Sequence, residues 1–257
     1  AYESLSTLAR EVVKNTRAIQ GVITELRDLS TFNPRDLATV QRPIPANNLL
    51  WHVGAEWEPL ARLAKIQVRV LFGPRGLYVL GDERRLRWAL GNVVDNALKF
   101  SPPGTTITLA ARHKDDHDDN RIEYIIKDEG YGIAADDLSH VFTRFYRGHP
   151  CDFDGQPVRK PGTGQGLFIA RRVIESHGGE VSLASRVARG TTVIIRLPLT
   201  SDISFDLPDD DSDGDLLLDE IPAPDTSDTQ PRETIIPSED EFDTVRLEPR
   251  NWHEDAS

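Results

Sequence analysis

Apolar residues recur along the first thirty positions at Leu5, Leu8, Val12, Ile19, Val22, Leu26 and Leu29, and Asn15 fills the one polar place in the same series. The steps run 3, 4, 3, 4, 3, 4, 3, a heptad seam of the kind that packs a helix against other helices at a shallow angle. Residues 2 to 30 as one helix would be about 43 Å long. Such a helix cannot bury its seam alone, so a partner is expected from another chain or from sequence beyond this one. An ordinary amphipathic surface helix is the alternative.

Two proline-containing breaks, "TFNPRD" and "RPIPAN", bracket a short extended piece. Beyond them the periods alternate. Helical spacing predicts a helix over 47–65, and two short strands follow near 66–72 and 77–80. A helix is expected over 84–100, then strands at 106–112 and 121–127 joined by the polar turn "HKDDHDDN". An irregular region spans 128–161, a helix covers 164–177 with Gly178 capping its end, and strands near 180–185 and 191–197 complete the pattern. Interleaved helices and hairpins predict an α/β fold, a two-layer sandwich of a mixed sheet and helices. The expected organisation is therefore a long coiled-coil-type helix over 1–32, a linker over 33–45, the α/β domain over 46–199, and a tail over 200–257.

Charge separates the tail from the rest. The net charge of −12 is the sum of two unlike parts. Residues 201–257 hold 19 Asp/Glu and 3 Lys/Arg, so residues 1–200 hold 23 and 27, a net of +4. The acidic, proline-rich tail has few aromatics and is expected to be disordered, because it cannot bury enough apolar surface to offset chain entropy. Neither part carries the clustered basic patch of a nucleic-acid binder. Apolar runs fall far short of the roughly 20 residues that cross a bilayer, and the opening residues do not read as a signal peptide. A single cysteine, Cys151, excludes an internal disulfide and fits a reducing, cytoplasmic setting. The lack of methionine fits removal of a start Met before Ala1, and equally a segment of a longer protein.

Three stretches carry candidate chemistry. In "GNVVDNALKFS", Asn92, Asn96 and Lys99 fall within about 60° on a helical wheel, apart from the apolar stripe of Leu86, Leu90, Val93 and Ala97. A carboxamide oxygen can ligate Mg²⁺ and a lysine suits phosphate; a plain solvated face has the same composition. In "KDEGYGI", Asp128 ends a strand and Gly130 and Gly132 follow. The carboxylate can accept from an exocyclic amine such as adenine's, and the glycines admit a flat ligand, although tight turns use the same residues. In "PGTGQGLFIARRV", Gly162, Gly164 and Gly166 run into a helix whose free amides favour phosphate. No Gly-Lys-Ser/Thr follows, so it is not a Walker A loop.

In this order the three stretches resemble the catalytic, ATP-binding domain of sensor histidine kinases, in the superfamily shared with gyrase, Hsp90 and MutL ATPases. "NVVDNALKFS" is similar to the N box, "DEGYGI" to the G1 box, "FTRFYRG" to the F box and "GTGQGL" to the G2 box, and "GTTVIIRLP" also fits. The heptad helix resembles the second helix of the kinase dimerisation hairpin, so the resemblance covers about residues 1–199. It implies that Asn96 ligates Mg²⁺, that Asn92 orders the phosphates, that Lys99 contacts phosphate, and that Asp128 receives the adenine amine in a pocket shaped by Gly130 and Gly132. It further implies that Arg147 reaches toward the γ-phosphate, that Tyr146 lines the site, that 148–161 form a mobile lid, and that Gly162, Thr163, Gly164, Gly166 and Leu167 hinge the lid and cradle ATP. Gln165 stands where leucine is common, a departure expected to alter lid packing. Implied partners are a response-regulator receiver domain and a second copy joined through helix 1–32, with any membrane contact made by segments outside this chain.

One family feature is absent. None of the seven histidines, His52, His113, His117, His140, His149, His177 and His253, sits in a motif like the acceptor H box or on the heptad helix. The phosphoacceptor is expected outside this chain, in a preceding helix. A degenerate nucleotide-binding scaffold and an anti-sigma-type serine kinase are the alternatives. "DDDSDGDLLLDE", Asp209 to Glu220, matches an EF-hand loop pattern, but Pro208, Pro222 and Pro224 deny it flanking helices. His149 and Cys151 are too few to make a metal site.

Overall fold

The computed structural model describes residues 41–116, 119–200 and 243–245. Strand β1 (Arg42–Pro45) leads into α1 (Ala46–Leu63), then β2 (Gln67–Leu71), β3 (Tyr78–Gly81) and α2 (Glu83–Phe100). The hairpin β4 (Thr106–Asp116) and β5 (Asp119–Asp128) is followed by the short α3 (Ala135–Leu138), α4 (Gly166–Ser176), β6 (Glu180–Arg186), β7 (Gly190–Pro198) and β8 (Asp243–Val245). The main sheet runs β2-β4-β5-β7-β6-β8; β2 and β4 are parallel and every other pair is antiparallel. A two-stranded ladder of β1 and β3 stands apart.

This is the expected two-layer α/β sandwich of a mixed sheet. Alternation along the strands makes it so: Ile122, Tyr124 and Ile126 of β5 and Val193, Ile195 and Leu197 of β7 all face the core beneath the helices. The helices supply Leu49, Leu50 and Val53 from α1, Leu86, Leu90 and Val93 from α2, and Ile169, Val173 and Ile174 from α4. Tyr124, fully buried, donates its hydroxyl to the carbonyl of Ala46 at 3.0 Å and so ties α1 to the sheet.

Four expectations shift. The "RPIP" break is itself strand β1; its prolines are tolerated because a two-stranded ladder has free edges on which no amide is needed. The polar turn "HKDDHDDN" is mostly strand, since the ladder runs on to Asp116 and Asp119, backbone pairing outweighing side-chain polarity. The irregular region contains α3. Three residues of the tail, Asp243–Val245, pair with Leu183–Ser185 as β8; the unpaired amides and carbonyls of an edge strand recruit extended chain whatever its composition. The heptad helix and the rest of the tail, with its EF-hand-like stretch, lie outside the described residues. Gly178 ends α4 as expected: its amide reaches Glu175 and that of Gly179 reaches Ile174.

Candidate nucleotide site

Helix α2 forms despite two asparagines because Leu86, Ala89, Leu90, Val93, Val94 and Ala97 are buried along one side and Asp82 caps it, accepting from the Arg85 amide at 3.1 Å. The opposite side turns into a cavity of about 980 Å³. Its lining brings together Asn92, Asn96 and Lys99 of α2, Asp128 and Gly132, Tyr146 and Arg147, and Gly162, Thr163, Gly164, Gly166 and Leu167. Gly130 is the one expected residue outside the lining. It lies behind Asp128, to which its amide donates at 2.8 Å.

Asp128 is 8% exposed and anchored twice, by the amides of Gly130 at 2.8 Å and Thr191 at 3.1 Å. Both donors meet Oδ1, so Oδ2 remains for a ligand. Burial pushes its carboxyl up to about 7, against the pull of those two amides. Apolar side chains of Val93, Ile126, Ile133, Leu183 and Val193 complete this end of the cavity, a slot suited to a flat heterocycle. Gly132 makes the close approach possible: its φ is +73° and a Cβ there would lie 2.1 Å from the carbonyl oxygen of Arg186.

At the other end the groups are cationic and carboxamide. Lys99 ion-pairs with Asp95 one turn earlier. Asn92 donates through Nδ2 to the Trp88 carbonyl at 2.9 Å, and its Oδ1 lies 3.0 Å from where a Cβ on Gly166 would stand. Asn96 makes no hydrogen bond among the described residues, so both ends of its carboxamide are available. Helix α4 begins at Gly166 without a side-chain cap, leaving its first amides for an anion.

Residues 147–163 cross over the cavity. Arg147 donates to the Lys160 carbonyl at 2.7 Å. Tyr146 donates its hydroxyl to Asp137 Oδ1 at 2.6 Å, and the His149 amide donates to Oδ2 at 3.1 Å. The Tyr146 hydroxyl, foremost, holds the Asp137 carboxyl below its usual range, and the same bond raises the Tyr146 phenol. Phe153 rests edge-on against Tyr131, ring centroids 5.3 Å apart.

Some functional neighbours were not read from the sequence. Asp95 was legible, because a carboxylate four residues before Lys99 forms a helical ion pair. Asp137 and Thr191 were not, since only the fold brings them to Tyr146 and Asp128. Gln165 is 5% exposed, outside the lining, and its Oε1 has no hydrogen-bond partner among the described residues. No three His, Cys, Asp or Glu side chains among the described residues are grouped to hold a metal, and no described helix is long and apolar enough to cross a membrane.

Residues 81–201 match the histidine kinase-, DNA gyrase B-, and HSP90-like ATPase family. Over 201 residues the chain is 30% identical to the sensor histidine kinase GacS of Pseudomonas protegens, a match covering 77% of the chain and 21% of the relative. Over 118 residues it is 42% identical to the sensor protein SrrB of Staphylococcus aureus, covering 46% and 19%. The chain thus spans about a fifth of the length of these relatives. The mycobacterial sensor histidine kinase MprB superposes with a TM-score of 0.51 at 30% identity, covering 62% of this chain and 98% of that one. A cavity with Asp128 at one end and the asparagine face of α2 at the other, in a fold shared with that kinase, leads to one conclusion: the chain belongs to the histidine kinase-like ATPases, on their sensor histidine kinase branch.

Proposed function

We propose that this chain is the catalytic part of a two-component sensor kinase, moving the γ-phosphoryl of ATP to a histidine on a separate helix. The supporting observation is the convergence of Asp128, the Asn92–Asn96–Lys99 face and the 162–166 stretch on one cavity. The Asp128 carboxyl takes the adenine amine through Oδ2, and the apolar slot stacks the ring. Lys99, Arg147 and the first amides of α4 hold the phosphates. Asn92 orders the phosphate chain from beside Gly166. The donor set fits Mg²⁺: Asn96 offers an unspent carboxamide oxygen, and Mg²⁺ keeps several waters and binds through few protein ligands plus phosphate. When bound, the ion neutralises phosphate charge. Phosphoryl transfer asks mainly for such positioning and neutralisation.

Two of the described histidines have ring nitrogens engaged in hydrogen bonds. His177 donates from Nδ1 to the Val173 carbonyl at 2.7 Å and accepts at Nε2 from the Asp82 amide at 3.1 Å, so neither nitrogen is a nucleophile. His113 bonds Asn120 at 2.8 Å on the sheet. In this reading the helix of residues 1–32 supports the partner helix and joins two copies, the reaction is cytoplasmic, and the phosphohistidine passes its group to a receiver aspartate.

Calorimetry with ATP and Mg²⁺ tests the site: Asn96→Ala is expected to abolish the metal-dependent part of binding. Incubation with labelled ATP and a kinase hairpin carrying an H box tests the reaction. Acid-labile label is expected on the added hairpin, and acid-stable label on this chain would instead identify a serine kinase.

A further inference from the structure

The sheet has a second face. Ala110, Ile125 and Ile194 form a separate apolar cluster there with Leu71. Every buried hydrophobic side chain of the four helices belongs to the other, larger cluster, so the helices contribute nothing to this face. Its residues are nonetheless buried: Ile125 is 2% exposed and Glu123 0%.

The face is also basic. Register places Arg69, Arg112, Lys114, Arg121, Lys127, Arg186 and Arg196 on the same side as Ile125, against Asp116, Asp119, Glu123 and Glu180, seven positive groups and four negative. Glu123 is held between Arg196, at 2.7 Å, and Arg112.

The route of the chain points to what covers it. Thr200 donates to the Tyr78 carbonyl beyond the end of β7, while β8 begins at Asp243, opposite Ser185 near the other end of the strands. The 42 residues from 201 to 242 therefore join points at opposite ends of the strands. Fully extended they span about 140 Å, and six strands are only about 24 Å wide, so length is no obstacle. The inner face is filled by helices. Between these ends lies Asp209–Ile221, which carries seven Asp/Glu, no Lys/Arg, and the apolar residues Leu216, Leu217, Leu218 and Ile221.

We propose that this acidic stretch of the tail docks on the outer face of the sheet, Leu216–Leu218 against the Ile125 cluster and its carboxylates among the flanking arginines and lysines. The tail is then an intramolecular cover, pinned at its far end by β8. Charge complementarity sets its orientation, and the Ile125 cluster, to which no helix contributes, selects its leucines.

The test uses the full chain with a photo-activatable benzophenone amino acid in place of Leu217. Cross-links within one copy to peptides containing Leu71, Ala110, Ile125 or Ile194 are expected. Cross-links only between copies, or only to other surfaces, would overturn the proposal. Limited proteolysis gives a second measure. The double variant Arg69→Glu/Lys127→Glu is expected to be cut within 209–221 at least about fivefold faster than wild type. Equal rates, with wild type cut as fast as a free peptide of the same sequence, would also overturn it.

Discussion

At the Asp128 end of the cavity the wall is sheet and backbone; at the Tyr146–Thr163 end it is an irregular segment held by single side chains. Asp128 is fixed by two amides, one from the loop after β5 and one from β7, and apolar core residues back it. The crossing segment depends on one carboxylate, Asp137, and on an exposed ring, Phe153. The first end therefore exists before any ligand arrives, whereas the second can be rearranged at the cost of a few hydrogen bonds of about 1 kcal/mol each. One end that is rigid and another that is cheap to open suit the proposed role, in which ATP must be selected and its γ-phosphate then exposed.

The contrast is sharpest in glycine substitutions. Gly132→Ala combines a φ of +73° with a Cβ 2.1 Å from a backbone oxygen and is expected to cost about 4–5 kcal/mol. Gly155→Ala, in the crossing segment, has φ +76° but nothing within 4 Å and is expected to cost about 1 kcal/mol. Urea denaturation of both variants checks this; equal losses would erase the distinction between the two ends.

The next effect is pH dependence without nucleotide. Burial raises the Asp128 carboxyl from 3.8 to about 7, so the folded state holds a proton that the unfolded chain releases. Its contribution to stability is fully present below about 3.8 and is lost as pH rises through about 7. Linkage makes this as much as about 4 kcal/mol. Denaturation of wild type and Asp128→Asn from pH 4 to 8 should show a decline in wild type that the variant lacks.

Binding follows. In Asp128→Asn the carboxamide oxygen keeps the Gly130 and Thr191 amides, which turns the NH₂ group toward the adenine amine, donor against donor. ATP affinity is expected to fall about 10- to 100-fold, or roughly 1.5–3 kcal/mol. A comparable loss in Asp137→Asn would mean that selectivity is not concentrated at the base end.

The smallest effect belongs to Tyr146→Phe. It removes the hydroxyl from Asp137, so the Asp137 carboxyl should titrate at higher pH. ATP affinity should change by less than about tenfold, one hydrogen bond's worth. Hydrogen exchange across 148–161 is expected to quicken while global stability stays within about 0.5 kcal/mol. Unchanged exchange would show that the Asp137 contacts do not hold the segment.

Much of this architecture was local and hence legible. The stripe of α2 separates Leu86, Leu90, Val93 and Ala97 from Asn92, Asn96 and Lys99 by helical period alone, and the strands of the main sheet declare themselves by alternation. Asp128 with its glycines, and the glycines before α4, were each compatible with a tight turn or loop, and gained meaning only from their order along the chain. Where proline and polarity were used to infer breaks and turns, they misled: "RPIP" is a strand, and "HKDDHDDN" is strand up to Asp116 and again from Asp119, since ladder formation depends on backbone geometry and the neighbouring strand.

Helical and strand periods, the acidic composition of the tail and the three candidate stretches were determined by the sequence by itself, because each depends on residues near one another in the chain. Tertiary structure alone decided that Thr191 anchors Asp128 across 63 positions, that Asp137 holds Tyr146, and that β8 returns to the β6 edge. It alone also raised the carboxyl of Asp128, because desolvation depends on which side chains enclose a group, and only the closed fold brings Ile126, Leu183 and Val193 around that cavity.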